Sequence, residues 1–390
     1  MRIRIGTRLW NTKYIESRDW ILIIGLSLAP MTGLRIWKIG PSEVLCLLWG
    51  LKYLLSGRMS KAGITFFFLA FIWALSLGSL VGYYVAPNEL RLTDLLTWVY
   101  LGLIAISIYE GLRTKQLSYN EKLLYLFAKT ACIWYLFLYV FSRTISQSFL
   151  GAPLWYSSAR FSGGGTNPHQ IAVLLCGLIF VFIRKLIQKD KVLVNIGFLI
   201  VSLFLMLQTA SSTGVMAVAI GIVIAMYFFV ADLFPGHRAV ALSLLSLVII
   251  FILLIGIANF MSLFFAWIEK DPNGLGRLYI FSSFSSTFSK SPIFGLGPGI
   301  HGLNGYIEFH NTYIEILAAS GIVGGLIFLA YSFGLFKTVL FVDWKLFPII
   351  VSVYAYGFAG FAMRRLVYWG LIAFVTVIAE QMQKSEEIRN

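Results

Sequence analysis

The sequence predicts an all-α integral membrane protein of about twelve transmembrane helices, with two loops on one side carrying its chemistry. Three observations lead there. Hydrophobic residues make up 59% of the 390 positions and charged residues only 12%, about half the charge of an ordinary soluble domain. Apolar runs long enough to cross a bilayer recur from one end of the chain to the other. Lys and Arg crowd into alternate connections, the asymmetry that orients membrane helices.

The runs fall at 20–36, 42–57, 63–86, 94–112, 122–142, 170–188, 192–209, 213–232, 239–266, 310–335, 346–363 and 366–382. They divide the chain into five N-terminal helices (1–142), a loop (143–169), helices six to nine (170–266), a large loop with short helices (267–309), and helices ten to twelve with a tail (310–390). The basic start, MRIRIGTRLWNTK, has no apolar core leading to a small-residue cleavage site, so it is not read as a removed signal peptide. With that end in the cytoplasm, cytoplasmic segments collect about twice as many basic residues as external ones, among them Arg58, Lys61, Arg113, Lys115, Arg184 and Lys185. Both termini are therefore expected inside. The net charge of +14 is then a topology signal and requires no nucleic acid. Cys46, Cys132 and Cys176 all lie in apolar runs, which argues against a disulfide framework or a cysteine metal site.

Candidate site residues gather in the two external loops. In 143–169, Trp155, Tyr156 and Arg160 precede three glycines and the sequence Asn167-Pro168-His169. Aromatics beside an arginine can hold a sugar face and a phosphate together, although a membrane-interface belt with a glycine hinge has the same composition. Arg143 is assigned to that interface. At 209–213, Ser211, Ser212 and Thr213 read as helix caps, because no base or carboxylate stands beside them in sequence. In 267–309, the stretch 276–290 has apolar residues at helical spacing and reads as an amphipathic surface helix opened by Arg277. Gly295, Gly297, Pro298 and Gly299 then turn the chain tightly and bring bare N–H groups together. His301, Glu308, His310 and Asn311 follow, just before a long apolar helix. Arg91 in the external turn 87–94, and Arg364 and Arg365 at the outer end of a short helix, are further anion-binding candidates; ordinary interface anchoring is the alternative for each. No P-loop, dinucleotide fingerprint, HExxH or Asp-x-Asp pair is present, so neither cofactor nor metal is expected.

At these loops the chain resembles the O-antigen ligase and O-antigen polymerase superfamily of bacterial membrane glycosyltransferases. Arg160–Ala172 (RFSGGGTNPHQIA) resembles an arginine-and-glycine loop ending in Asn-Pro-Asn, with His169 in place of the second Asn. Thr209–Met216 (TASSTGVM) resembles a helix start where Ser212 stands at the usual Arg. Pro292-x-x-Gly295-x-Gly297-Pro298-Gly299, then His310-Asn311-x-Tyr313-x-Glu315-x-x-Ala318-x-x-Gly321, is the most specific piece. The resemblance implies a GT-C-like fold in the cytoplasmic membrane with its active site on the periplasmic side. It implies an undecaprenyl-pyrophosphate-linked glycan as donor, transferred without cofactor or metal. The acceptor would be a second lipid-linked glycan in a polymerase, or lipid A–core in a ligase. A chain-length regulator is an expected partner of a polymerase, alongside membrane lipids. The missing Arg at 212 leaves Arg160, Arg277 or Arg364 to supply that charge.

The chemistry also stands on the residues. Arginine forks stabilise a pyrophosphate leaving group bidentately. His310, at a helix start whose dipole disfavours imidazolium, suits the base that takes the proton of an attacking hydroxyl; Glu308 would orient it or replace it. Trp155, Tyr156, His169, His301, Asn311 and Tyr313 are the expected sugar contacts. A transporter or flippase would need charges buried along its helices, whereas these gather at one face; a scaffold would not need the Arg/His-rich mouth. The modest length of 267–309 tilts the reading towards polymerase.

Overall fold

The computed structural model describes residues 15–388 except 37–38, 57–58, 60–62, 86–91, 158, 238, 241–242, 244–245, 248–282, 300–308, 359 and 361. The described chain is mostly helical. In order, its main helices are α1 (Ser17–Leu28), α2 (Pro41–Leu55), α3 (Gly63–Val85), α4 (Leu92–Arg113), α5 (Leu117–Thr144), α6 (His169–Ile187), α7 (Val192–Gln208), α8 (Ser212–Leu233), α9 (Thr312–Val342), α10 (Phe347–Tyr356) and α11 (Leu366–Glu387).

Seven of them (α3, α4, α5, α6, α8, α9 and α11) are long and apolar enough to cross a membrane. Four of the other expected stretches are helical but shorter. α1 has 12 residues, α2 15, α7 17 and α10 10, against the roughly 20 that a straight span requires. Local chemistry sets their ends. α1 stops at Leu28: Ala29 keeps helical angles, but Pro30 has no N–H with which to continue the ladder and its ring crowds the preceding turn. α2 begins with Pro41 at its first position, and Glu43 folds back to accept from the Gly40 N–H at 3.0 Å. α10 ends at Gly357, short of the expected 363. The ninth expected stretch, 239–266, lies almost wholly outside the described residues.

The loop 143–169 is more ordered than its composition suggests. Strands β1 (Ser148–Phe149) and β2 (Ala152–Pro153) form one antiparallel hairpin, β3 (Trp155–Ser157) and β4 (Arg160–Phe161) a second. Leu150 and Gly151 turn the first with φ of 51° and 82°, the double left-handed pattern of a tight hairpin turn. The loop rests on the start of the chain, where Gly33 N–H donates to Gly164 O at 2.9 Å.

Contacts sort the helix ends into two faces. One face carries buried ion clusters. Asp19 on α1 accepts from Trp49 Nε1 (2.8 Å) and Tyr119 OH (2.6 Å) and pairs with Lys115 Nζ (3.0 Å). Arg184 near the end of α6 pairs with Glu121 (2.6 Å) and Asp343 (2.9 Å). Tyr109 donates to Glu380 at 2.7 Å. Residues near both ends of the described chain, Glu16 and Glu380, therefore share this face. Between the faces, aromatic packing joins α3 to α11: the Phe67 ring stacks on Trp369 at 5.4 Å, and Phe68 meets it edge-on at 4.5 Å. The other face holds the starts of α6, α8, α9 and α11 together with both hairpins.

Candidate active site

The long helix α9 is broken. Gly321 has φ 61° and ψ −160°, so the backbone leaves the helix for one residue and resumes. In a continuous helix the N–H groups of Ile322 and Val323 would bond the carbonyls of Ala318 and Ala319. Instead, all four groups pair with the glycine loop. Ile322 N donates to Pro292 O at 2.8 Å and Val323 N to Ile293 O at 3.1 Å, while Leu296 N and Gly297 N donate to Ala318 O and Ala319 O, both at 2.9 Å. The loop thus plugs the break and satisfies backbone groups that hydrocarbon would leave unpaired. Gly295 makes this fit possible: its φ is +72°, and a Cβ there would lie 2.4 Å from the Ala319 carbonyl carbon. The N–H groups that the glycines bring together at Gly295 and Gly297 are spent inside the protein, since Gly295 N also donates to Ser291 O at 2.9 Å.

The plug holds the first half of α9, and with it His310. Asn311 caps the helix: its Oδ1 accepts from Tyr313 N (2.9 Å) and Ile314 N (3.1 Å), and its Nδ2 donates to Phe358 O at 2.8 Å. Thr312 N donates to Gly357 O at 2.8 Å, and Tyr313 OH to Tyr354 O at 2.7 Å. Asn311 and Tyr313, expected as substrate contacts, are thereby committed to seating the helix on the end of α10. His310 is exposed and adopts φ +49°, a left-handed conformation that costs a non-glycine residue about 1 kcal/mol or more. Such strain concentrates where a side chain is held for use.

The end of α10 also reaches the start of α6. Tyr356 OH donates to His169 O at 3.1 Å, and His169 Nδ1 lies 3.0 Å from Ser211 Oγ, the side chain that caps α8 by accepting from Gly214 N. The expectation that Ser211 caps a helix holds, and Ser211 has a second partner in His169. Arg160 is half-buried, with Nε donating to Thr209 O at 3.4 Å and its guanidinium carbon 5.8 Å from the Tyr156 ring. The Thr209 carbonyl that it meets lies three residues ahead of Ser212, the first residue of α8.

Arg364 and Arg365 turn inward instead of anchoring to an interface. Arg364 Nη2 lies 3.3 Å from the buried Glu315 Oε1. In the amide orientation that satisfies both ends of Gln170, its oxygen accepts from Arg365 Nη1 at 2.8 Å and its nitrogen donates to Pro30 O at 2.7 Å. The Trp155 ring is covered by Arg143 at 4.1 Å, and the two line a polar cavity of about 310 Å³ with Gln147 and Ser157. Arg143 thus lines this cavity as well as covering the ring. Arg91, Arg277, His301 and Glu308 lie outside the described residues, and so do residues 276–282 of the expected surface helix at 276–290; 283–288 is helical and 289–290 a turn.

Sequence reasoning did not assign a role to Glu315, Gln170, Tyr356 or Thr32, whose hydroxyl bonds the Gln170 amide across 138 positions. Glu315 could have been found, since a carboxylate inside an apolar helix demands a partner. The others carry no local signal. In sum, the starts of four helices, each with positive partial charge, and Arg160, Arg364 and Arg365 share one face with His310 and His169. That arrangement can bind an anionic group and place a base at its edge. Residues 196–329 match the family model described as O-Antigen ligase, a stretch holding the second and third motifs but ending ahead of the arginine pair. No curated protein matches the chain.

Proposed function

Because residues 196–329 match the family model described as O-Antigen ligase, we propose that the chain transfers an undecaprenyl-pyrophosphate-linked glycan to a sugar hydroxyl on the periplasmic face of the bacterial cytoplasmic membrane. In this reading both described termini face the cytoplasm, and 143–169 and 267–309 lie outside. The acceptor hydroxyl oxygen attacks the anomeric carbon of the donor. His310 takes the hydroxyl proton, with Glu308 orienting it or serving in its place, and the bond from that carbon to the pyrophosphate oxygen breaks. The lipid pyrophosphate leaves with the electron pair, its charge met by arginines and helix starts.

The observation that carries the reading is the placement of Arg160. The motif resembled by TASSTGVM has an arginine where this chain has Ser212, and Arg160 reaches the carbonyl of Thr209 beside that point. The guanidinium lost from the helix start is supplied from the neighbouring hairpin. Arg277, Arg364, Arg365 and Arg91 remain the further candidates for the pyrophosphate, and Trp155, Tyr156, His169 and His301 for the sugars.

Polymerisation of repeat units is the favoured outcome, because the external loop before α9 is modest. Ligation to lipid A–core is the second reading, favoured by the description of the matching family. Purified protein in liposomes, given lipid-linked donor and either a second lipid-linked glycan or lipid A–core, separates them by which acceptor is extended. Failure with both acceptors while donor binds overturns the transferase reading. Because arginines suffice to stabilise the leaving group, EDTA is expected to leave the rate unchanged.

A further inference from the structure

On the face opposite His310 lies a cavity of about 560 Å³ between α3, α9 and α11. It takes no part in the chemistry above. Its walls are mostly apolar, formed by Phe66, Phe67, Ile327, Ala330 and Leu335, and polar groups collect at one end. That end is marked by Glu380 and by Gly63, the first residue of α3. Phe66 is itself 63% exposed, so the cavity opens sideways onto the surface that faces hydrocarbon.

Its length identifies what fits. Ile327 and Thr338 line its two ends on α9, a separation of about 16 Å at helical rise. That is about half the roughly 30 Å hydrocarbon core of a bilayer, the depth of one leaflet. The volume falls within the roughly 300–1,000 Å³ of small-molecule sites. Gly334 leaves the trough open, since no atom lies within 4 Å of a Cβ built there.

The charge at the polar end selects the head group. Glu380 accepts from Tyr109 OH at 2.7 and 3.0 Å and lies 3.8 Å from Arg113 Nε. Two carboxylate oxygens offer about four acceptor positions, so Glu380 can take a further N–H. Glu110, beside Arg113 at 2.9 Å, adds a second carboxylate. A lipid headed only by phosphate would set its charge against this pair, whereas an ammonium is attracted. Lys384, exposed one turn beyond Glu380, stands where the phosphate of the same head group would emerge. Within the wall, the Tyr331 hydroxyl is buried; Thr376 is near it but makes no hydrogen bond of ordinary geometry with it.

We propose that this cavity seats one acyl chain of an aminophospholipid from the leaflet opposite the candidate active site, with the ammonium on Glu380. The full-length protein, purified in mild detergent and measured by native mass spectrometry, should retain about one phosphatidylethanolamine. Gly334→Phe, which fills the trough, should lose it at an unchanged melting temperature. Glu380→Gln should keep a bound lipid but lose about tenfold of the preference for phosphatidylethanolamine over phosphatidylglycerol. Undiminished lipid in a folded Gly334→Phe, or an isoprenoid phosphate as the retained species, overturns the proposal. Should Gly334→Phe not fold, the wild-type protein decides: equal stabilisation by phosphatidylethanolamine, phosphatidylglycerol and isoprenoid phosphate overturns it, and selective stabilisation by the first supports it.

Discussion

The two faces of this bundle hold their charges in opposite ways. On the face of Asp19, Arg184 and Glu380, cations meet carboxylates directly: Lys115 bonds Asp19 and Glu16, and Arg184 bonds Glu121 and Asp343. On the face of His310, polar side chains mostly meet backbone. Asn311, Thr312 and Tyr313 are held by carbonyls of 354–360, and Arg160 rests on a carbonyl. Carboxylate partners are few there among the described residues, Glu315 on Arg364 and Glu43 on Arg35. The first face staples helices together with ion pairs; the second keeps a positive field for something that is not protein.

The largest test of this contrast is at His310. Its replacement by Asn, which tolerates the left-handed backbone, should cut transfer by about 10²–10⁴-fold with donor binding and melting temperature retained. Loss of donor binding would make His310 a substrate contact and shift the base to Glu308. The reverse pattern belongs to the opposite face. Arg184→Leu leaves Glu121 and Asp343 without their cation and should cost about 3 kcal/mol of stability, near the low end for buried pairs because Glu121 is 25% exposed. The rate per folded molecule should not move; a drop in it would mean that the faces are coupled.

The glycine plug lies between the two. Gly321→Ala forces a side chain into φ +61°, with its Cβ 2.3 Å from Ile293 O, and should destabilise by about 2 kcal/mol or more. Gly197→Ala, where a Cβ meets nothing within 4 Å, is the control and should gain slightly in helix propensity. Equal melting temperatures for the two would remove the plug as a structural device. A finer effect is expected at the arginines. Arg160→Lys keeps the charge but loses the fork, and should lower transfer about 10- to 100-fold through weaker leaving-group stabilisation. Arg143→Gln should weaken acceptor use only several-fold, read as a rise in acceptor KM at constant kcat. A fall in kcat at Arg143 larger than that at Arg160 would exchange their assignments.

Helical character was legible in the residues themselves. Apolar runs report burial in hydrocarbon, and that preference belongs to each side chain wherever it ends up. The Gly295–Gly321 motif was legible as a pattern, yet its use was not: the glycines read as a tight turn gathering bare N–H groups, and those groups complete a broken helix. Which N–H meets which carbonyl depends on bringing 292–297 against 318–323, and no residue type records that. For the same reason Arg364 read as either an anion site or an interface anchor, and its ion pair with Glu315, 49 positions away, could not be foreseen. The hairpins of 143–161, with strands of two or three residues, leave no periodicity to read. The sequence alone therefore determined the solvent each segment prefers and the chemistry its side chains can perform. The tertiary structure decided which of those side chains are committed to one another, because a hydrogen bond requires contact at about 3 Å and chain separation does not predict it.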